Sequence, residues 1–371
     1  MEPTAVVTAA IKLATEFVKR QAEPSAKEIR TIRVEIQRHL TETLNWSSRI
    51  QFYGMSRAEE TDLATISLRL ASEPRRFRAK RVDHTQTEDA LLADNRNYLL
   101  LGDPGAGKTT TLKRIARKLL LEPPVAVDDI YQFPIVIRLR DLTSDETIVG
   151  AIARELGFPI SERTEPETKK KSLWLADTRV ADAVTQFLNT AHVLLLLDGL
   201  DEVPTEAQLR IRREVSWLAL NANESKLIAS CRSGDYTAVI EGLDLVEICP
   251  LEPQQVAEIA ATWLDDPQVF LEQLARVPYR DVVDRPLLLS QLLYLYKRYG
   301  YLPEQPAQVY RKVIGLLLQE WDAEREIQRR SKYAGFDPDR KAAFLAALAY
   351  YLTFGFNEKY SAMLSYVVLM A

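Results

Sequence analysis

The sequence predicts an α/β fold: a parallel five-stranded sheet with helices on both faces, preceded by a small, mainly helical region and followed by helices alone. Three observations predict it. Apolar strand-like runs alternate with helical segments between residues 98 and 251, the pattern of a parallel sheet covered on both sides. One of those runs breaks into a glycine-rich loop and passes straight into a helix. From residue 252 onward only helical periodicity remains.

The elements follow in order. Val7, Ile11, Ala14, Phe17 and Val18 share one face of a helix over 4–20, which Pro24 ends. Ser25 stands where a cap belongs, before a second helix over 26–44 with Ile29, Ile32, Ile36 and Leu40 on its stripe. This pair packs on itself or on the next domain, or forms an interaction module. Alternation of Leu63, Ile66, Leu68 and Leu70 predicts a strand over 61–70. Arg75, Arg76, Arg78, Lys80 and Arg81 make a basic run. Nucleic-acid contact is one reading of it; the single aromatic, Phe77, and the preceding Pro74 favour a solvated linker.

The core strands are expected at 98–101, 133–142, 192–204, 226–236 and 243–251, with helices at 108–120, 146–156, 179–189 and 205–221 between them. The stretch 163–172 is a charged surface loop. Helices then follow at 253–264, 267–276, 286–300, 307–326 and 339–352. The last eleven residues are apolar and uncapped, so the chain either continues or packs this segment back. No internal repeat is present.

Composition excludes several classes. A length of 371 residues suits two or three domains. A net charge of −4 gives the whole chain no reason to coat nucleic acid or an anionic membrane. Cys231 and Cys249 sit in apolar runs, as buried thiols rather than a disulfide. His39, His84 and His192 are too scattered for a metal site. The start of the chain lacks signal-peptide features and no run is long enough to span a membrane, so the expected location is cytoplasmic.

The chemistry is written in two stretches. In the first, Tyr98–Leu101 lead into Gly102, Asp103, Pro104, Gly105, Ala106, Gly107, Lys108, Thr109 and Thr110. The pattern G-x-x-x-x-G-K-T between strand and helix is that of a phosphate-binding loop. Glycines let several N–H groups face one anion, and the helix N-terminus adds positive charge. Lys108 reaches the β- and γ-phosphates, and the Thr109 hydroxyl binds Mg²⁺. In the second stretch a hydrophobic strand ends at Asp198, the expected partner of Thr109 in the metal shell. Gly199 follows, and Asp201 and Glu202 come three and four residues after Asp198. Asp201, with Glu202 next, is expected to orient the attacking water, the plainer reading being an acidic helix start. Arg232 ends the fourth strand and suits a γ-phosphate sensor, or else an ion pair with a neighbouring carboxylate.

These motifs together resemble the NACHT NTPases of the signalling STAND class. LLLGDPGAGKTT, LLLLDGLDEV, SCRS and RPLLLSQL carry the resemblance; FPIVIRLRDL and the stretch around YRKVIGLLLQEWD add likeness to bacterial members. It covers about residues 90–371 and leaves 1–90 in the effector or adaptor position. It implies an NTPase core at 91–251, a helical domain at 252–304 and a winged-helix region, whole or cut short, at 305–371. It implies adenine as the base, ADP at rest, and ATP-driven opening and self-association. It also implies a trigger of phage or stress origin and a setting in anti-phage defence. Pro286 would lie against adenine by that resemblance, though from the residues alone it is a first-turn proline. One departure is plain: no histidine follows His192, so the β-phosphate histidine of several members has no counterpart. Two other classes stay open. A remodelling ATPase would need a trans arginine, for which Arg276, Arg280 and Arg285 are placed; a non-hydrolysing interaction module would use nucleotide only for stability.

Overall fold

The computed structural model describes residues 4–21, 24–50, 59–74, 85–121, 132–158 and 178–309, and beyond these 311–312, 343–344, 346–348 and 350. Two compact units emerge, Met1–Ile50 with Glu59–Gln255, and Gln51–Ala58 with Val256–Ala371.

The first unit begins with α1 (Thr4–Gln21) and α2 (Ala26–Ser48). Ser25 caps α2 with a reciprocal pair: its hydroxyl accepts the Glu28 N–H, and the Glu28 carboxylate accepts the Ser25 N–H. Strands β1 (Arg49–Ile50) and β2 (Glu59–Glu60) form a short antiparallel ribbon, followed by α3 (Thr61–Ala64). Next come β3 (Leu70–Ala71), α4 (Glu88–Leu92), β4 (Tyr98–Gly102), α5 (Lys108–Leu121) and β5 (Phe133–Arg138). The unit continues through α6 (Ile148–Glu155), α7 (Thr178–Ala191), β6 (Val193–Asp198), α8 (Thr205–Asn221), β7 (Lys226–Arg232) and β8 (Asp244–Ile248).

The sheet has six strands in the order β3-β8-β4-β7-β6-β5. It is mixed, which corrects the purely parallel, five-stranded expectation. Strands β4 to β8 run parallel, and β3 joins the edge antiparallel to β8 through Leu70↔Ile248 and Ala71↔Glu247. The strand expected over 61–70 is also corrected: Thr61–Ala64 is helical, and only Leu70 belongs to the ladder. Every side chain of β4 and β6 is buried, so both faces of the sheet are covered.

Helices α1 and α2 pack on each other and on this core. Ala10, Ala14, Ile32 and Leu40 are fully buried in the same cluster as Leu195 and Leu197 of β6. Phe17 of α1 stacks on Phe158 and meets Phe187 of α7 edge-on, with ring centroids 5.9 and 5.5 Å away. A basic edge of α5 grips the preceding segments. Lys113 donates to the Arg49 carbonyl (2.8 Å), Arg117 to the Ser48 hydroxyl (2.7 Å), Arg114 to Glu88 (2.7 Å) and Lys118 to Asp89 (2.6 Å).

Helix α9 (Pro253–Trp263) leads into the second unit, with α10 (Gln268–Arg276) and α11 (Pro286–Tyr299). Phe270 meets Tyr296 edge-on at 5.3 Å, and the Gln273 side chain accepts the Leu302 N–H at 2.8 Å. Gly300, in the left-handed region, closes α11 by donating to Tyr296 O. The basic run at 75–81, the charged loop at 163–172, and most of the expected helices at 307–326 and 339–352 lie outside the described residues. The expected winged-helix region and the apolar last eleven residues lie outside them as well, apart from a few positions of the former.

Candidate nucleotide site

The site gathers at the C-terminal ends of three adjacent parallel strands, where open α/β sheets bind ligands. Register aligns Gly102 of β4 with Arg232 of β7, and Asp198 of β6 with Arg138 of β5. The loop between β4 and α5 curls through Gly105 (φ 77°) and Gly107 (φ 102°), a backbone that L side chains rarely adopt. Asp103 O accepts the Ala106 N–H at 3.0 Å, and Gly107 O accepts the Thr111 N–H at 2.8 Å, which starts α5. A Cβ at Gly102 would come within 3.1 Å of the Ala106 Cβ, so the cradle leaves no room for a side chain there.

Lys108 lies half-buried, its Nζ donating to Gly102 O at 2.8 Å and Asp103 O at 3.3 Å. Burial lowers its pKa, while the charges of Asp201 and Asp198 act in the opposite direction. The Thr109 hydroxyl stands 3.0 Å from each carboxylate oxygen of Asp198, and Asp198 is buried. Two hard oxygen donors held this close beside an anion cradle fit a magnesium ion that also takes phosphate oxygens. Among the described residues, no group of three or more His, Cys, Asp or Glu side chains is placed to hold a metal by itself. Magnesium usually takes only one or two protein carboxylates, with phosphates and water completing its shell.

Beyond Asp198 the chain turns through Gly199 at φ 85° into a single 3₁₀ turn, Leu200–Glu202. A Cβ on Gly199 would meet the Glu202 side chain at 3.1–3.3 Å, so glycine here gives both the turn and the room Glu202 occupies. The two acids diverge. Asp201 is buried, and both its oxygens are engaged by Arg232, through Nε at 2.8 Å and the backbone N–H at 2.9 Å. Glu202 is exposed, with Arg140 at 3.6 Å. Arg232 therefore makes the ion pair that sequence reasoning weighed against a sensor role, and its partner is the neighbouring acid of the same motif.

The expected residues Gly102–Thr110, Asp198, Asp201, Glu202 and Arg232 all belong to the first unit. Pro286 is in the second, at the first position of α11, where a missing N–H costs nothing. Three residues here were not anticipated. Ser230 is fully buried and hydrogen-bonded to Asp198, Arg140 faces Glu202, and Ser233 donates to Glu247 at 2.6 Å. All three lie inside stretches already singled out, SCRS and FPIVIRLRDL, but nothing in those stretches assigns them a role. Cys231 and Cys249 are both buried thiols, as expected, and burial pushes the Cys231 thiol up to about 11, which removes it as a nucleophile.

A family model described as the NACHT domain matches residues 96–267. No curated protein matches the chain. Among solved structures, a Walker-type ATPase of Pyrococcus abyssi is 16% identical, with a TM-score of 0.36 over 76% of this chain and 86% of its own. A STAND protein with a tetratricopeptide repeat sensor from Pyrococcus horikoshii is 15% identical, with a TM-score of 0.38 over 64% of this chain and 33% of its own. Both likenesses are too distant to carry an inference. Residues 96–267 hold the glycine loop, the Thr109–Asp198 pair and the Asp201–Arg232 pair, so the stretch that matches the NACHT domain is the one that carries the candidate site.

Proposed function

We propose that this chain is a regulated ATPase of the signalling STAND class, in which the bound nucleotide sets self-association. The observation that carries it is the Thr109–Asp198 contact beside a curled glycine loop. A plain structural turn has no use for a threonine hydroxyl held against a buried carboxylate at the mouth of an anion cradle.

The duties divide as follows. Loop N–H groups and the start of α5 bind the phosphate tail. Lys108 exchanges its carbonyl partners for phosphate oxygens. Thr109 and Asp198 hold magnesium, which when bound neutralises charge shared by the β- and γ-phosphates. Glu202 is the acid free to face water, so it takes the water's proton on a carboxylate oxygen. Asp201 has both oxygens engaged by Arg232, and it holds that guanidinium at the strand end where γ-phosphate charge would be felt. Adenine, ADP at rest, the cytoplasm and anti-phage defence come with the family resemblance.

The test is to identify the nucleotide that copurifies, then compare particle size with ADP and with a non-hydrolysable ATP analogue. A larger particle with the analogue, lost in Lys108→Ala, is the expected result. A protein that binds no nucleotide refutes the reading, and fast, polymer-stimulated turnover would point to a remodelling ATPase instead.

A further inference from the structure

We infer that Ser230 is a positioning residue for the magnesium-holding carboxylate: its buried hydroxyl, set between the Gly199 N–H and Asp198, fixes the orientation in which Asp198 meets Thr109. The inference rests on the nucleotide-site reading above and adds a residue to it.

Strands β6 and β7 are neighbours, with Leu197 paired to Ala229, so Asp198 and Ser230 follow as the next cross-strand pair. The residues around Ser230 in β7 (Leu227, Ile228, Ala229 and Cys231) are apolar and buried. Serine has no packing advantage there; its hydroxyl is what the position uses. Ser230 Oγ lies 2.8 Å from the Gly199 nitrogen and 2.8 Å from Asp198 Oδ1. The backbone amide can only donate, and the hydroxyl has one proton. The Gly199 N–H therefore donates to Ser230, and the Ser230 proton goes to Asp198. This chain of two bonds ties the carboxylate plane to the backbone of the left-handed turn at Gly199. Without it the terminal torsion of an aspartate is broad and roughly two-fold. Thr109, 3.0 Å from both oxygens, does not by itself select which of them faces the metal.

A merely structural serine would affect stability and leave the response to magnesium alone. The test uses the full chain and a fluorescent ADP analogue, first in chelator and then across a Mg²⁺ titration. Ser230→Ala is expected to need about tenfold more Mg²⁺ for its half-maximal effect, the usual cost of losing a group that orients a metal ligand. Affinity in chelator is expected to stay unchanged, and Ser230→Thr, which keeps the hydroxyl, to restore the midpoint. Ser230→Cys keeps the volume with a weaker donor, and is expected to shift the midpoint in the same direction if the alanine variant does not fold. Equal Mg²⁺ midpoints for the variant and the wild type overturn the role of Ser230 while leaving the site intact. A wild type that ignores both ADP and Mg²⁺ overturns the nucleotide-site reading and this inference with it.

Discussion

Lys108 has its ammonium against two loop carbonyls, in a half-buried place that already lowers its pKa. Such a cation is held ready for an anion. Lys108→Ala is expected to weaken nucleotide binding about 10–100-fold, the worth of one charge-assisted hydrogen bond, read by titration calorimetry. Its melting temperature should hold, since the lysine fills no core space. Glu202→Gln has a different signature. Binding should persist while phosphate release falls by about 10²–10⁴, the range for a lost general base. If Glu202→Gln turns over normally and Asp201→Asn does not, the duties of the two acids are reversed. Spacing made both acids visible in the sequence and put Asp201 ahead of Glu202, with nothing in it to show which of them Arg232 engages. Their division depends on Arg232, which reaches Asp201 only because β7 lies beside β6, and strand order is not written in either motif.

Between elements, a single buried carboxylate links α8 to α6. Glu214 is fully buried, and its Oε2 accepts the Ile148 N–H at 2.6 Å. Its Oε1 finds no hydrogen-bond partner among the described residues, and Arg210 Nε stays 4.0 Å away. Burial pushes its pKa up to about 7, only partly offset by Ile148 and Arg210. The folded protein therefore holds this proton more tightly than the unfolded chain does. Stability should fall as pH rises from the ordinary glutamate range through about 7, then level off. Glu214→Gln keeps the oxygen that accepts Ile148. It is expected to flatten that slope and to stabilise the protein at pH 8, measured by urea unfolding at pH 5 and pH 8. An unchanged slope would mean that another group sets it. Periodicity placed α8 well, over 205–221, yet gave no hint of this charge. The stretch 61–70 shows the opposite limit. Ile66, Leu68 and Leu70 are buried in alternation with more exposed neighbours. Alternation reports which side chains are covered, whereas a strand also needs a partner edge, and only Leu70 and Ala71 find one, in β8.

Across the first unit, the leading helices belong to the packing of the sheet core. Val6, Ala10, Ala14, Ile32, Ile36 and Leu40 join the buried cluster that contains β5 and β6. Removing residues 1–50 would return that face to water and strip Phe17 from Phe158 and Phe187. Large-to-small changes at buried positions cost roughly 2–5 kcal/mol each, and a whole domain holds only about 5–15 kcal/mol. A core expressed from residue 51 onward is therefore expected to aggregate or to melt far below the full chain, read by size exclusion and thermal scanning. A monodisperse fragment with an unchanged melting temperature would show that the leading helices are dispensable. The sequence showed the amphipathic stripe of each helix but not the surface each would cover, because a stripe marks only the need for a partner.

The cations Lys113, Arg114, Arg117 and Lys118 stand on the same rigid rod whose tip is Lys108 and Thr109. A rod clasped along its flank at residues 48–49 and 88–89 can tilt only by breaking those contacts or by carrying the clasping segments with it.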